Sequence, residues 1–534
     1  MSDTGGRPAR RLRASDVLVG AAAVLTIAGL VVRWQYRDGQ SYWSDELFSV
    51  DQAGAHSLRH VVRVGLAEVH TPLFAVLTHL WIRLGGTQQT AWVRLLPVLL
   101  GSAAVLAGWS GLRGLGLSRE ARWLCVAATS ADGFLITYSQ EVRPYALATL
   151  GAVGVTAASL HRWRGGWRGG RWGGPWGWTA WALLAASSHL LGAVLVVVLA
   201  AMLGGRALGR PREALSVAVA CTVALVPQAT WIGLGLDRQG FASGTDWIHA
   251  PAPGDVLALV LSAFPAGGLT PRADGFAWTA PWGLLAVVGL ALAAVVARRG
   301  PAGSADDAGS DVQGSDVRVS DVAAARFLLG AATGTVVVTY LVAQVVHLWT
   351  LRNLVVVVPA LLWGVVCLVL GLPRGRNARQ MLATLTVTGL AVSLATVTID
   401  LSRPYKTDFR SAMEYLVAVR AHDPAATFVF LSSGAPRRAL LAADRSPDDP
   451  AMRHLFDRVE LYPRQDTSIR SLHRTSGAEV VLYYPNLAGA GNQVRTQAIL
   501  SRLGAGCAPV PVYGLIMVAC PGRNNAPSTV SAMR

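Results

Sequence analysis

The sequence LVVVVPALLWGVVCLVLGL, residues 354–372, decides the class of fold because it runs through 19 residues without a charge. A helix needs about 20 apolar residues to cross the hydrocarbon core of a bilayer. Residues 17–32 form a second uncharged run. Only 15% of the 534 residues are charged and 52% are hydrophobic, whereas soluble domains carry about 25% charged residues. The pattern excludes a soluble single domain and a disordered chain, and it predicts an α-helical polytopic membrane protein.

Apolar runs predict about eleven transmembrane helices within a domain that comprises residues 17–400. The predicted spans are 17–32, 93–112, 122–138, 144–160, two within 176–203, 214–235, 280–298, 324–346, 353–371 and 381–399. The run 176–203 lies between two arginine clusters, so we expect a hairpin that turns near His189. Residues 72–84 and 254–264 are too short to span and are interpreted as interfacial or re-entrant segments.

The distribution of arginine predicts the orientation of the chain. The sequence has 47 Lys and Arg against 31 Asp and Glu, a net charge of +16. The arginines cluster in short segments between apolar runs, which is the positive-inside pattern rather than a nucleic-acid-binding surface. The clusters lie at 7–13, 162–171, 206–212, 298–299 and 374–379. We therefore expect a plasma (inner) membrane protein with a cytoplasmic basic arm, residues 1–16, and a first span retained as an anchor.

This orientation places the densest polar segments outside the cytoplasm. The expected external segments are the loop 33–92, the turns 139–143 and 347–352, the loop 236–279 and all residues after about 400. Residues 300–322 would be cytoplasmic. They contain five aspartates, three Ser-Asp-Val repeats and no aromatic residue, so we expect a disordered linker.

Residues 401–534 resemble soluble protein in composition and predict a small extracytoplasmic α/β domain. Thr407 or Asp408 is a candidate cap for its first helix. The expected helices are 409–420, 466–476 and 493–503, and the expected strands are 427–431 and 479–484. Cys507 and Cys520 lie in this exported domain, where they predict a disulfide. The other three cysteines lie in apolar runs.

The first candidate site is YWSDELFS, residues 42–49, in the external loop. The adjacent carboxylates Asp45 and Glu46 project in different directions, so they can serve different roles. A carboxylate near a low-dielectric surface has a raised pKa, which suits a general base. The alternative interpretation is structural: Asp45 would cap an interfacial helix beginning at Glu46.

Two further polar segments are expected on the same face. EVHTPL, residues 68–73, places His70 beside a helix start, where free N–H groups favour an anion. YSQEVRPYAL, residues 138–147, carries Glu141 and Arg143 at the end of a span. Charges so close to hydrocarbon are usually functional or paired, and a structural Glu141–Arg143 ion pair stays open as the alternative.

The last polar segment is HLWTLRN, residues 347–353, between two late spans. The guanidinium of Arg352 can bind a phosphate through two parallel hydrogen bonds. The alternative is that Arg352 extends to the lipid headgroups, with Trp349 as the aromatic anchor.

These segments together resemble the GT-C class of polytopic glycosyltransferases, specifically the family 39 type related to protein O-mannosyltransferases and aminoarabinose transferases. The matching features are Asp45-Glu46, His70-Thr71-Pro72-Leu73, Arg94 with Pro97 and Gly101, residues 138–147, Arg352 ahead of Pro359, and residues 406–412. The resemblance covers roughly residues 15–160 and 340–430. It implies that Asp45 is the catalytic aspartate and that Arg352 lies near the donor phosphate.

The sequence departs from the family pattern at two places. The usual His-Pro-Pro-Leu is His70-Thr71-Pro72-Leu73 here, which keeps the second proline. The usual Arg-Tyr is Arg352-Asn353, so a role carried by that tyrosine has no counterpart.

The resemblance implies transfer of a sugar, mannose or another hexose or pentose, from a polyprenyl-phosphate donor to a hydroxyl of an extracytoplasmic glycan, lipid or protein, with inversion. Asp45 would act as the base. The expected substrate-binding residues are Glu46, His70, Arg94, Glu141, Arg143, Tyr145 and Arg352. The one cofactor considered is a divalent metal, with Asp45, Glu46 and Glu141 as candidate ligands. The alternatives are a secondary transporter or lipid flippase, and a non-catalytic protein that binds the carrier lipid.

Overall fold

Helices occupy most of the described chain, and a small sheet lies near its C-terminus. The computed structural model describes residues 14–66, 68, 70–165, 170–236, 248, 250–256, 312–371, 376–403, 406–431, 459–461, 479–483, 491–504, 506–512 and 514–521. The predicted span 280–298 and the predicted helix 466–476 lie outside these residues.

The helices are numbered in chain order. They are α1 Ala14–Gln35, α2 Ser44–Ala53, α3 Leu58–Gly65, α4 Leu73–Gly85, α5 Thr90–Val93, α6 Leu95–Gly111, α7 Arg119–Ala131, α8 Gly133–Tyr138, α9 Tyr145–Gly165, α10 Gly170–Gly173, α11 Pro175–Ser188, α12 Leu190–Arg206, α13 Pro211–Leu236, α14 Val312–Ala343, α15 Val358–Gly371, α16 Arg376–Leu401, α17 Phe409–His422 and α18 Gly491–Leu503. A 3-10 helix, Leu351–Val356, precedes α15.

The bundle is that of a multi-pass membrane protein. Within the described residues, five helical segments are long and apolar enough to cross a bilayer. They are Ala14–Gln35, Thr90–Gly111, Pro211–Leu234, Ser320–Ala343 and Arg379–Leu401. Each overlaps a predicted span. The remaining predicted spans among the described residues form shorter or more polar helices. The short segment 72–84 corresponds to the 13-residue helix α4, Leu73–Gly85.

The predicted span 122–138 is not one continuous helix. It breaks at Asp132, whose extended backbone separates α7 from α8. The Asp132 carboxylate accepts a hydrogen bond of 3.0 Å from the backbone N–H of Leu135 and so caps α8. An aspartate within an apolar run can accept a hydrogen bond from a free backbone N–H at the start of a new helix. This side-chain bond takes the place of the backbone hydrogen bond that a continuous helix would form there.

The expected hairpin in 176–203 is present. His189 adopts an extended conformation between α11 and α12. Its Nδ1 atom accepts a hydrogen bond of 3.1 Å from the backbone N–H of Leu191. The histidine therefore ends one helix and caps the next, and this brings its ring to the surface of a cavity described below.

The prediction of a disordered linker over 300–322 is wrong for residues 312–322, which form the first turns of α14. Tertiary contacts account for the difference. The carboxylate of Asp321 accepts a hydrogen bond from the backbone N–H of Ser118 at 3.1 Å. Arg164 donates to the backbone carbonyl of Ser320 at 2.5 Å. These contacts fix Ser320 and Asp321 against the bundle, although the composition of residues 312–322 by itself favours disorder. Residues 300–311 lie outside the described residues.

The C-terminal domain contains a five-stranded sheet of order β2-β1-β3-β5-β4. The strands are β1 Thr427–Phe430, β2 Val459–Leu461, β3 Glu479–Tyr483, β4 Ala508–Val510 and β5 Ile516–Cys520. Strand β1 is parallel to β2 and β3, whereas β5 is antiparallel to β3 and β4. Asp408 caps α17 through the Ser411 N–H. Cys507 and Cys520 are joined by a disulfide.

One hydrophobic core joins the C-terminal domain to the loop 33–92. Leu47 and Val50 of α2 and Phe74 of α4 are buried in the same cluster as Phe409 of α17 and Phe428 of β1. Burying apolar area on both sides removes it from water and holds the two parts together. The domain therefore shares one core with the loop that carries Asp45.

Candidate active site

Asp45 lies in the first turn of α2. Its Oδ2 atom forms an ion pair with Nη1 of Arg352 at 3.0 Å. The helix begins at Ser44, and no hydrogen bond from Asp45 caps it. The helix-cap interpretation of Asp45 is therefore wrong, and the carboxylate is held by a residue 307 positions away in sequence.

Glu46 performs the capping role that the sequence suggested for Asp45. Its Oε2 atom accepts a hydrogen bond of 3.4 Å from the backbone N–H of Trp43, the N-cap residue of α2. This capping contact fixes the start of α2. It orients Asp45, the preceding residue, toward the opposite side.

A cavity of about 230 Å³ opens beside the Asp45–Arg352 pair. Five of the expected site residues line it, namely Asp45, His70, Arg143, Tyr145 and Arg352. The lining also includes Phe48, Glu68, His189, Leu190, Leu191, Ile248, Val346, His347, Leu348, Thr350 and Asn353. The cavity thus combines two carboxylates, those of Asp45 and Glu68, and two guanidinium groups with several apolar side chains. This composition fits a ligand with a polar head and an apolar part.

Arg143 and Arg352 approach Asp45 from different elements. Nη1 of Arg143 donates to the hydroxyl of Ser49 at 3.2 Å and to the backbone carbonyl of Asp45 at 3.4 Å. The guanidinium of Arg352 lies 5.2 Å from the centre of the Trp43 ring. No ion pair joins Glu141 to Arg143 among the described residues, so the structural pair considered for them is not formed.

His70 is a neutral group in this cavity rather than a cation. Burial lowers the pKa of its ring well below the usual value, and the charges of Arg143 and Arg352 lower it further. The ring lies 5.5 Å from that of His189 and 6.3 Å from that of Tyr145, centre to centre. A neutral imidazole can still donate one hydrogen bond to an anion.

Tyr145 brings a hydroxyl to the cavity wall. The side chain is fully buried, and its hydroxyl makes no hydrogen bond within the described part of the chain. A buried polar group without a partner costs free energy unless a ligand or water satisfies it. The hydroxyl therefore has a free hydrogen-bonding capacity at the wall of the cavity.

Glu46 and Arg94 do not line the cavity. Arg94 donates to both carboxylate oxygens of Glu46, at 2.9 Å from Nε and 2.6 Å from Nη2. The same guanidinium donates to the carbonyls of Gln40 at 2.5 Å and Ser41 at 2.8 Å. The pair is completely buried. It ties the start of α6 to the segment that leads into α2, so its geometry suits positioning rather than sugar contact.

Lys406 completes this buried network from the C-terminal domain. Its ammonium contacts Oε2 of Glu46 and Oε1 of Glu141, each at 3.1 Å. Burial opposes ionisation of Glu46, but the charges of Arg94 and Lys406 outweigh it and hold its pKa low. Burial raises the pKa of Glu141, and Lys406 only partly offsets this rise. Two carboxylates and two cations from four chain segments therefore meet behind the cavity.

The three candidate metal ligands do not form one donor set. Asp45 faces Arg352, whereas Glu46 and Glu141 face Arg94 and Lys406. The described residues contain no group of three His, Cys, Asp or Glu side chains arranged to hold a metal ion. The three carboxylates named as candidate ligands are instead compensated by cationic side chains.

Sequence reasoning missed three residues of the site. Lys406 is the single lysine of the chain and belongs to the matching segment 406–412, but the sequence predicts no role for it. His189 was read only as a turn, and Asn353 only as a departure from a motif. Each lies far in sequence from Asp45, and local spacing carries no signal for such contacts. The uniqueness of Lys406 was the one available clue.

Comparison with solved structures shows that the chain has the fold of the GT-C polytopic membrane glycosyltransferases. The structure is similar to that of ArnT from Cupriavidus metallidurans bound to undecaprenyl phosphate, with a TM-score of 0.51 and 14% identity over 94% of this chain and 98% of that one. The apo form of the same protein gives a TM-score of 0.51 and 11% identity over the same shares.

A shorter similarity involves the S. cerevisiae protein O-mannosyltransferase Pmt1-Pmt2 complex bound to the sugar donor. It has a TM-score of 0.30 and 15% identity over 45% of this chain and 36% of that one. No protein-family model matches the chain, and no curated protein sequence matches it. The resemblance to family 39 is not tested by these comparisons and stays a prediction.

Proposed function

We propose that this protein transfers a sugar from a polyprenyl-phosphate donor to a hydroxyl group of an acceptor on the outer side of the plasma membrane. The observation that carries the proposal is the Asp45–Arg352 pair at the wall of the cavity. It places a carboxylate that can take a proton next to a guanidinium that can bind a phosphate. The ArnT structure bound to undecaprenyl phosphate supports a donor of this class.

The reaction is a single displacement. The acceptor oxygen forms a bond to the anomeric carbon of the sugar while the bond from that carbon to the phosphate oxygen breaks. The Asp45 carboxylate takes the acceptor proton, and the bonding electrons leave with the lipid phosphate. Attack opposite the leaving group inverts the anomeric centre.

The cavity offers several groups for the negative charge that develops on the leaving phosphate. Arg352 and Arg143 supply permanent positive charge, because guanidinium groups remain protonated in proteins. His70 and Tyr145 supply neutral donors. Donors fixed in advance at the position where charge develops stabilise the transition state without reorganisation. Glu68 and His189 also line the cavity, where they are suited to contact sugar hydroxyls.

The ion pair implies an order of binding. Nη1 of Arg352 contacts Oδ2 of Asp45 at 3.0 Å, so the ion pair occupies this carboxylate oxygen. A donor phosphate that binds Arg352 replaces Asp45 as its partner. The carboxylate is then free to accept the proton, so productive binding of the acceptor follows that of the donor.

The decisive variant is Asp45→Asn. The amide has nearly the same shape but cannot take the proton, so we expect donor binding to persist while the rate falls by roughly 10²–10⁴. The measurement is transfer from labelled polyprenyl-phosphate sugars to membrane extracts by purified protein, together with binding of the carrier lipid.

The matched control is Asp51→Asn, which makes the same change at an exposed position of the same helix and should keep the wild-type rate. Near wild-type transfer by Asp45→Asn would refute the catalytic assignment. A wild-type protein that binds the carrier lipid but transfers no sugar from any donor tested would favour the carrier-binding or transport alternatives.

A further inference from the structure

We propose that a second cavity, at the opposite end of the bundle from Asp45, binds the phosphate of an anionic membrane lipid. This cavity has a volume of about 190 Å³. Its lining consists of Trp109, Arg113, Arg119, Arg122, Trp123 and Val126. Three guanidinium groups and no carboxylate line it, so its walls are suited to an anion. We call it the arginine cavity.

The position of the arginine cavity follows from helix geometry. Arg94, which pairs with Glu46 near Asp45, immediately precedes α6, and Arg113 follows its other end. A helix of this length rises by about 25 Å. The two cavities therefore lie near opposite faces of a bilayer, and the second is expected at the cytoplasmic face because the arginine clusters define that side.

A tight turn brings the three arginines together. Gly114 and Gly116 have φ values of 75° and 63°, a region that side chains with a Cβ atom rarely adopt. This turn reverses the chain between α6 and α7, so Arg113 lies beside Arg119 and Arg122. The Nε atom of Arg122 is buried and has no hydrogen-bond partner within the described residues. An anion in the cavity would give this donor a partner.

The tryptophans indicate a lipid rather than a free anion. The rings of Trp109 and Trp123 lie 4.4 Å apart, and the guanidinium of Arg113 lies 4.5 Å from the centre of the Trp109 ring. Tryptophan is enriched at the boundary between hydrocarbon and headgroups. With Val126, these rings form an apolar wall next to the charged one. A phosphodiester headgroup with its acyl chains along the helices matches both walls, and basic pockets between membrane helices bind such headgroups.

Many arginines at membrane boundaries extend to the headgroup layer without forming a specific site. The contacts of each arginine therefore decide which of them can bind a phosphate. Arg119 already has a carboxylate partner, because it pairs with Asp16 at 3.0 Å in an exposed contact. Arg113 stacks on Trp109, and Arg122 has one buried free donor. We therefore assign the main phosphate contacts to Arg113 and Arg122.

The test measures lipid binding by the full-length protein in detergent. Native mass spectrometry would count bound phosphatidylglycerol, with phosphatidylcholine as the neutral-headgroup comparison and inorganic phosphate as a separate arm. We expect phosphatidylglycerol to bind the wild type and phosphatidylcholine to bind weakly. Arg113→Gln and Arg122→Gln should each lower the affinity about fivefold, the effect of one basic residue near an anionic membrane surface.

The matched control is Arg210→Gln, which removes an exposed arginine that pairs with Glu213 between α12 and α13 and does not line the cavity. It should leave lipid binding unchanged. Equal losses in Arg210→Gln and Arg113→Gln would overturn the proposal in favour of general surface charge. In the inorganic phosphate arm, the thermal unfolding of the wild type is measured with phosphate and with phosphatidylglycerol. If phosphate alone raises the melting temperature as much as the lipid does, the assignment to a lipid is overturned.

Discussion

The chemistry of the candidate site depends on single contacts between residues that are distant in sequence. Arg352 lies at the start of a 3-10 helix whose N-cap, Thr350, accepts a hydrogen bond from the Asn353 N–H. This turn directs the guanidinium toward Asp45 and across Trp43. Because the side chain is held on two sides, its position is set before a ligand binds, and preorganised charge is the most effective kind in catalysis.

Arg352→Ala should weaken both donor binding and turnover. A phosphate in the cavity would lose a charge-assisted partner, and the loss of one such donor costs roughly 10²–10³ in rate. Kinetics at varied donor concentration should show a raised KM and a lowered kcat. Arg59→Ala, an exposed change in α3, is the control. An unchanged KM for the donor in Arg352→Ala would contradict a phosphate contact.

Tyr145→Phe separates a ligand contact from a structural one. The hydroxyl has no partner in the described residues, so its removal should leave the melting temperature unchanged or raise it. A hydrogen bond to a charged phosphate is worth about 1.5–3 kcal/mol, so donor affinity should fall roughly tenfold or more. Wild-type donor binding in this variant would show that the hydroxyl does not touch the donor.

Among the structural elements, the network around Glu46 joins four segments that are distant in sequence. Their secondary-structure propensities alone do not predict that they meet. Arg94 opens α6, Glu141 follows α8, and Lys406 precedes α17. Arg94 and Lys406 each contact Glu46 in the first turn of α2, and Glu141 joins the network through Lys406. The C-terminal domain thereby contributes to the geometry of the cavity without lining it.

Lys406→Met should destabilise the protein strongly. The substitution leaves two buried carboxylates side by side with one cation, and removal of one partner from a buried ion pair costs about 3–5 kcal/mol. Thermal unfolding in detergent measures the effect. The double variant Lys406→Met with Glu141→Gln should regain part of the stability. The second substitution removes the carboxylate charge of Glu141, which has lost its ion-pair partner.

The matched control for this change is Arg410→Met. Arg410 also joins the C-terminal domain to the loop 33–92, through an ion pair of 3.1 Å with Asp38. That pair is exposed, and exposed pairs contribute about 0–1 kcal/mol. Equal destabilisation by both variants would argue against a special role of the buried network.

For the molecule as a whole, the proposed function places Asp45 and the C-terminal domain on the same side of the membrane. The shared core between Leu47 and Phe428 supports this arrangement physically. The arginine cavity lies at the other end of α6. Which end faces the cytoplasm is predicted from the arginine clusters alone.

Impermeant maleimide labelling of intact cells tests the sidedness. The background would lack Cys125, Cys221 and Cys367, the free cysteines of the described chain. A cysteine at His60, exposed in α3, should be labelled, whereas one at Leu208, exposed between α12 and α13, should be labelled only after permeabilisation. The reverse pattern would overturn the orientation and place the proposed reaction on the wrong side.

Local patterns in the sequence were sufficient for much of the fold. Uninterrupted apolar runs predicted the helices of the bundle. A helix that crosses a bilayer must have a minimum length and hydropathy, and both follow directly from the local sequence. The hairpin at His189 and the cap at Asp408 were equally local. The break at Asp132 and the order of residues 312–322 were not predicted, because each depends on how a polar side chain is satisfied.

The candidate site divides in the same way. From sequence, Arg143 and Arg352 are predicted at the ends of apolar segments, where charge is costly unless it is used, and Asp45 in a polar external loop. The three-dimensional contacts alone show that Asp45 faces Arg352 whereas its neighbour Glu46 faces Arg94 and Lys406. The physical reason is that ion pairing depends on distance in space, and adjacent residues on a helix point in different directions.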